Sequence, residues 1–136
     1  WIDQGVIRGL PILEVDTRLK SGQIEVELKR YVSDKTNWRK MLQNDVDHVD
    51  LKRTRDEMLD KISPLIKQTG AKKTSDDVLT INYPVEKYPS KITSLSFDKS
   101  ANISGILNGI KGQYLLLDCG VLNIRKFSSY NITLEY

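Results

Sequence analysis

The lone histidine, His48, stands among Asp45, Asp47 and Asp50, and imidazole with carboxylate oxygens is a donor set that a divalent cation accepts. Their spacing follows no established ligand pattern, and acids opening a helix also complement its dipole without any metal. Glu25 is a different kind of candidate. On a helical wheel it falls beside Leu28 and Val32, at the margin of an apolar stripe. A carboxylate at such a margin can line a cleft and hold Mg²⁺ or Mn²⁺ for phosphodiester chemistry, where the metal stabilises charge on the phosphoryl group. The edge of an ordinary amphipathic helix has the same signature. A third set is basic and aromatic. Lys111, Arg125 and Lys126 would form a rim for a phosphate backbone, with Tyr114, Tyr130 and Phe127 as stacking surfaces for bases, although such aromatics serve a core equally well.

Two other patterns are weaker. Gly105-Ile-Leu-Asn-Gly-Ile-Lys-Gly112 superficially resembles a phosphate loop, but it lacks the Lys-Ser/Thr ending and precedes a leucine-rich strand, so its glycines are expected to bend and bulge a sheet. No G-x-S-x-G nucleophile elbow occurs, which argues against a serine hydrolase.

The elements that must position these residues change character along the chain. Trp1–Gly5 reads as the last turn of a helix closed by glycine, so the chain is expected to be a fragment that starts within an element. Residues 9–15 form a short apolar, partly β-branched run and are expected to make one strand, with Pro11 near its start. From Thr17 to Val32, Ile24, Leu28, Tyr31 and Val32 recur at helical spacing, giving an amphipathic helix that carries Glu25. Trp38–Leu42 follows as a short helix. A longer one, capped by Asp45 or Asp47, runs to about Gln68, with a kink or restart at Pro64. Gly70 and the polar residues 72–77 end it and mark a linker near 69–77.

Beyond the linker the apolar period becomes two, in residues 78–83, 92–97, 103–107, 114–117, 121–124 and 130–136, with Asp118-Cys119-Gly120 as a hairpin turn. The expected fold is α+β: an N-terminal strand with amphipathic helices over residues 1–70, then an antiparallel β module over 71–136, a small barrel or a curved sheet.

Composition limits the function classes. With 39% hydrophobic and 29% charged residues, the 136-residue chain matches a water-soluble globular protein. The net charge of +3 permits a nucleic-acid partner without implying one. One cysteine, Cys119, excludes an intrachain disulfide and points to a reducing, cytoplasmic setting. No apolar run approaches the length of a membrane span.

Two blocks carry a family resemblance: Trp1-Ile-Asp-Gln-Gly5 with the strand and the Glu25 helix behind it, and Gly109-Ile-Lys-Gly-Gln-Tyr114 with Val121-Leu-Asn-Ile-Arg-Lys126. Together they resemble an archaeal and bacterial family, domain of unknown function 2797, over nearly the whole chain. The resemblance implies a longer parent protein with an upstream cysteine-bearing segment suggestive of zinc, then a stretch similar to the GIY-YIG nuclease fold. It implies further that the family's helical arginine and its tyrosine-bearing hairpin precede Trp1, and that Glu25 matches the metal-binding glutamate of GIY-YIG nucleases. On this basis the chain is expected to belong to a DNA- or RNA-binding or processing protein that uses Mg²⁺ or Mn²⁺ at full length and is inactive as this piece. The alternative is a non-enzymatic protein-interaction module.

Overall fold

A computed structural model of the chain describes residues 1–33 and 35–136. The fold is α+β, and its residues cluster into two compact units that interleave along the sequence. One contains Trp1–Val6, Asn37–Val46 and Ile81–Tyr136; the other contains Ile7–Thr36 and Asp47–Thr80.

The second of these units is built on helices. The run expected as one strand divides into β1 (Arg8–Gly9) and β2 (Leu13–Glu14), on either side of Pro11. Proline offers no N–H to a ladder, and the two halves pair with different partners. β1 lies antiparallel to β4 (Leu79–Thr80), and β2 lies antiparallel to β3 (Lys72–Lys73). Helix α1 (Arg18–Leu28) starts where the Thr17 hydroxyl accepts the Lys20 N–H. It is shorter than the apolar spacing suggests: Ile24 and Leu28 are buried, but Tyr31 and Val32 lie beyond the helix and are exposed.

Helix α3 (Leu51–Lys61) is capped by Asp50, whose Oδ1 accepts from Arg53 N at 3.1 Å. The cap is thus one or two acids later than the sequence reading placed it. A cap must sit directly before the first helical residue, because its oxygen reaches only the free N–H groups of the first turn. The helical pattern breaks at Ile62 and resumes as α4 (Ser63–Thr69) with Pro64 in its first turn, where no hydrogen bond is lost. Gly70, at φ +68°, closes α4 in the left-handed conformation. Ile24, Leu28 and Ile62 are the core, flanked by Ile12, Leu13 and Leu59. Arg55 of α3 is buried too, its guanidinium reaching Asp76 at 2.6 Å, Asp56 at 3.1 Å and the Ser75 carbonyl at 3.3 Å.

The other unit centres on a four-stranded sheet. β6 (Leu107–Lys111), β7 (Tyr114–Leu117) and β8 (Gly120–Asn123) form an antiparallel meander, and β5 (Ser94–Leu95) adds to β8 in parallel, giving the order β5-β8-β7-β6. The sheet is open, with β5 and β6 at its edges, and one of its pairings is not antiparallel. Residues 130–136, expected as a last strand, have no ladder partner among the described residues and are coil. The glycine-rich stretch behaves as its composition suggests, with a bulge between Leu107 and Gly109. A Cβ on Gly109 would strike Val85, so the residue's bareness lets the 84–86 segment bridge to β6. Helix α2 (Trp38–Leu42), capped by Asn37, contributes Met41 and Leu42 to a core with Leu116 and Val121. Burying a side chain such as Leu42, which is fully inaccessible, is worth about 1.5–3 kcal/mol.

Candidate functional site

The residues singled out from the sequence do not converge. Glu25 lies on the exposed side of α1, its side chain 66% accessible, and its carboxylate pairs with Lys29 at 3.0 Å. The helix turns Ile24 and Leu28 toward the core, and Leu28 with Val32, which lies beyond the helix, also lines an apolar pocket against Leu51, Arg55 and Met58 of α3. Asp45, Asp47, His48 and Asp50 are all exposed, with Asp50 spent as the α3 cap. Among the described residues no group of three His, Cys, Asp or Glu side chains is arranged to hold a metal ion.

The basic and aromatic set separates into four environments, and Phe127 is buried edge-on between Phe97 and Tyr130. Lys126 and Tyr130 are brought together, but on a carboxylate: Asp98 accepts from both the Lys126 ammonium and the Tyr130 hydroxyl. These hydrogen bonds, with a further one from Ser96, hold Asp98 down to about 2, and the same carboxylate pushes the Tyr130 hydroxyl above its usual value. Tyr114 stacks parallel to Trp38 with centroids 5.8 Å apart, while the Arg39 guanidinium sits 4.3 Å from the Trp38 centroid. Arg125 is exposed, 3.9 Å from Asp3.

Lys111, expected on the rim, is instead fully buried. It closes β6 on the inward side of the sheet, two residues after Gly109, since alternate strand residues share a face. Its Nζ donates to Asn44 Oδ1 at 3.0 Å and lies 4.9 Å from the Tyr88 ring centroid and 5.9 Å from that of Tyr83. Asn44 is delivered by the end of α2. Asp45 N bonds to Lys40 O and Asn44 N to Met41 O, a Schellman closure with Asn44 at the left-handed position, φ 58°. No carboxylate pairs with Lys111 among the described residues, and burial pulls its ammonium below the usual lysine value.

The Tyr88 ring that covers Lys111 also lines an open cleft of about 350 Å³. One wall is the segment from Lys87 to Thr93; the other is the end of β7 and the Asp118–Cys119 turn into β8. One contact joins the walls, and two more tie the Lys87–Thr93 side to the end of α2 and to β6. Val121 N donates to Thr93 O at 2.8 Å, Gln43 Nε2 donates to Ser90 O, and Glu86 N donates to Asn108 O at 2.8 Å. Gly120 permits the closest approach, since a Cβ there would stand 2.6 Å from Thr93 O. Lys87 and Lys91 are exposed and have no ion-pair partner among the described residues. Asp118, the one lining carboxylate, accepts the Ile106 N–H at 3.0 Å through Oδ1 and keeps its negative charge. Two free ammonium groups beside the hydroxyls of Tyr88, Ser90 and Thr93 make a setting for an oxyanion.

This cleft was missed in the sequence. A signal was present: Lys87-Tyr-Pro-Ser-Lys91 places two cations around a Tyr-Pro turn between short strands.

An α+β fold of two interleaved units with a lysine-flanked cleft defines a class of small mixed domain and leaves its chemistry open. The family model described as protein of unknown function DUF2797 matches residues 1–132, and the chain belongs to that family. No curated protein and no solved structure matches it. No helix of the described residues is long and apolar enough to cross a membrane.

Proposed function

We propose that this chain binds the phosphate backbone of DNA or RNA through the Lys87–Thr93 cleft and does not cut it. The observation that supports this reading is the pair of exposed lysines, Lys87 and Lys91, which make no ion pair among the described residues and flank a polar cleft. The unit that holds them has eight Lys and Arg against six Asp and Glu, so its field favours an anion only mildly and the local pair must supply the contact. Cleavage belongs, on the resemblance to GIY-YIG nucleases, to a longer protein in which Glu25 meets partners supplied from elsewhere and takes Mg²⁺ or Mn²⁺. A reducing, cytoplasmic setting fits the single, exposed cysteine, Cys119.

The test is the salt dependence of binding to a labelled single-stranded oligonucleotide, followed by anisotropy. Each phosphate contact adds roughly 0.7 to the slope of log K against log salt, so Lys87→Ala with Lys91→Ala should flatten the slope by about 1.4. Binding that ignores salt, or a double variant indistinguishable from the parent chain, would sink the reading and put the protein-docking alternative in its place. Incubation of DNA with the chain and Mg²⁺ is expected to leave the DNA intact.

A further inference from the structure

Helix α1 carries an apolar stripe on the side opposite its core residues. Leu19 and Val26 are 73% and 63% exposed, and Gly22 lies between them, one helical turn from each. Among the described residues nothing beyond the helix's own backbone stands within 4 Å of the place a Gly22 Cβ would occupy. The chain's own packing therefore gives no reason for a glycine there, although glycine weakens a helix interior relative to alanine. A bare backbone flanked by two exposed apolar side chains is the arrangement that lets a second helix approach closely.

The charges beside the stripe say which helix fits. Arg18 and Glu25 are seven residues apart, two turns, and lie on the same side of the stripe; both are exposed, and Glu25 also pairs within its own chain with Lys29 at 3.0 Å. If two copies of α1 cross antiparallel with Gly22 against Gly22, Leu19 of each meets Val26 of the other. Arg18 of each then comes beside Glu25 of the other, twice by symmetry. A surface whose apolar and charged positions both complement themselves under a two-fold rotation is what an isologous interface requires. We propose that α1 is a self-association surface, and that a second copy of this chain covers Leu19, Gly22 and Val26. The proposal is independent of the phosphate-binding cleft, which lies in the other compact unit, but it puts Glu25 in an interface and so competes with the metal-ligand role proposed for Glu25 in a longer protein.

An 11-residue helix is about 16 Å long and buries less than a standard interface, so the association is weak, in the high-micromolar range. Sedimentation equilibrium from micromolar to millimolar concentration tests it. The parent chain is expected to show a monomer–dimer equilibrium. Arg18→Glu and Glu25→Arg should each weaken it about tenfold or more, and the two together should restore it, because the reversed pair is again complementary. Gly22→Ala should weaken association while raising the thermal midpoint of the monomer, a pair of opposite changes that simple damage to the fold does not produce. Far-UV circular dichroism confirms that these exposed substitutions leave the helix content unchanged. A parent chain that stays monomeric throughout, or a double reversal that fails to restore the dimer, overturns the proposal and leaves the stripe to a different partner.

Discussion

Lys111 keeps its ammonium group away from water with only an amide oxygen and two tyrosine rings for company. A cation held this way costs more than it returns, because the Asn44 carbonyl and the ring faces replace only part of its hydration. Its folded value lies below the unfolded one, so Lys111 contributes most to stability above the usual lysine value of 10.5 and loses that contribution as pH falls through the lower folded value. The charged form is therefore the less favoured one in the folded chain. Lys111→Met, which keeps the length and drops the charge, is expected to stabilise the chain by about 1 kcal/mol in urea unfolding at neutral pH. A loss of stability would mean that the Asn44 bond outweighs desolvation. Asn44→Gly separates the two contributions, since it preserves the left-handed closure of α2 while removing the acceptor. It should destabilise the chain less when Lys111 is already Met.

Acid titrates a different set. Asp98 is held near 2 by its bonds to Lys126, Tyr130 and Ser96; Asp76 is lowered by Arg55, and Asp56 by Lys73 and then Arg55. Carboxylates lowered on folding stabilise the protein above their unfolded value, 3.8, and that support is lost as pH falls through the folded values. Thermal midpoints should fall between pH 3.8 and about 2, and Asp98→Asn should make the decline shallower. An unchanged slope in the variant would show that these bonds contribute nothing to folding.

At the scale of elements, the ends of helices are better determined than the strands. Thr17, Asn37 and Asp50 each accept a backbone N–H at a helix start, and Gly70 closes α4. Asp50→Ala is expected to cost about 1 kcal/mol, measured as a shift in urea midpoint at constant m-value. Gly70 has open space where a side chain would go, so Gly70→Ala probes backbone conformation alone and should cost a similar amount through its positive φ. Strands of two residues such as β1 to β5 are harder to read from a sequence. They are marked by partners distant along the chain, Arg8 with Thr80 or Ser94 with Val121, and an apolar alternation cannot name a partner. Residues 130–136 alternate as well as any strand here, yet no neighbour among the described residues offers them a ladder.

For the molecule as a whole, the order of the chain and the order of the compact units differ. A composition change near Gly70 suggests a division there, while the units exchange residues at Val6, Thr36, Val46 and Thr80. The sheet-bearing unit draws Met41 and Leu42 from α2, and these share a core with Leu116 and Val121. A piece containing only residues 71–136 would leave that core half built. Such a piece is expected to melt without a cooperative transition by circular dichroism; a sigmoidal melt would show that it folds independently.

What local chemistry encodes was legible in the sequence. Helix positions, the α4 restart at Pro64, the Gly105–Gly112 bulge and the Asp118–Cys119 turn each follow from a backbone preference acting within a few residues. The burial of Lys111, the neutralisation of Lys126 by Asp98 and the freedom of Lys87 and Lys91 came from the tertiary structure alone. Each depends on which distant residue arrives next to a charge: Asn44 for Lys111, Asp98 for Lys126, and, among the described residues, no carboxylate in ion-pair contact with the two cleft lysines. A residue type fixes the charge, but only the fold sets the company and the access to water that decide what the charge does.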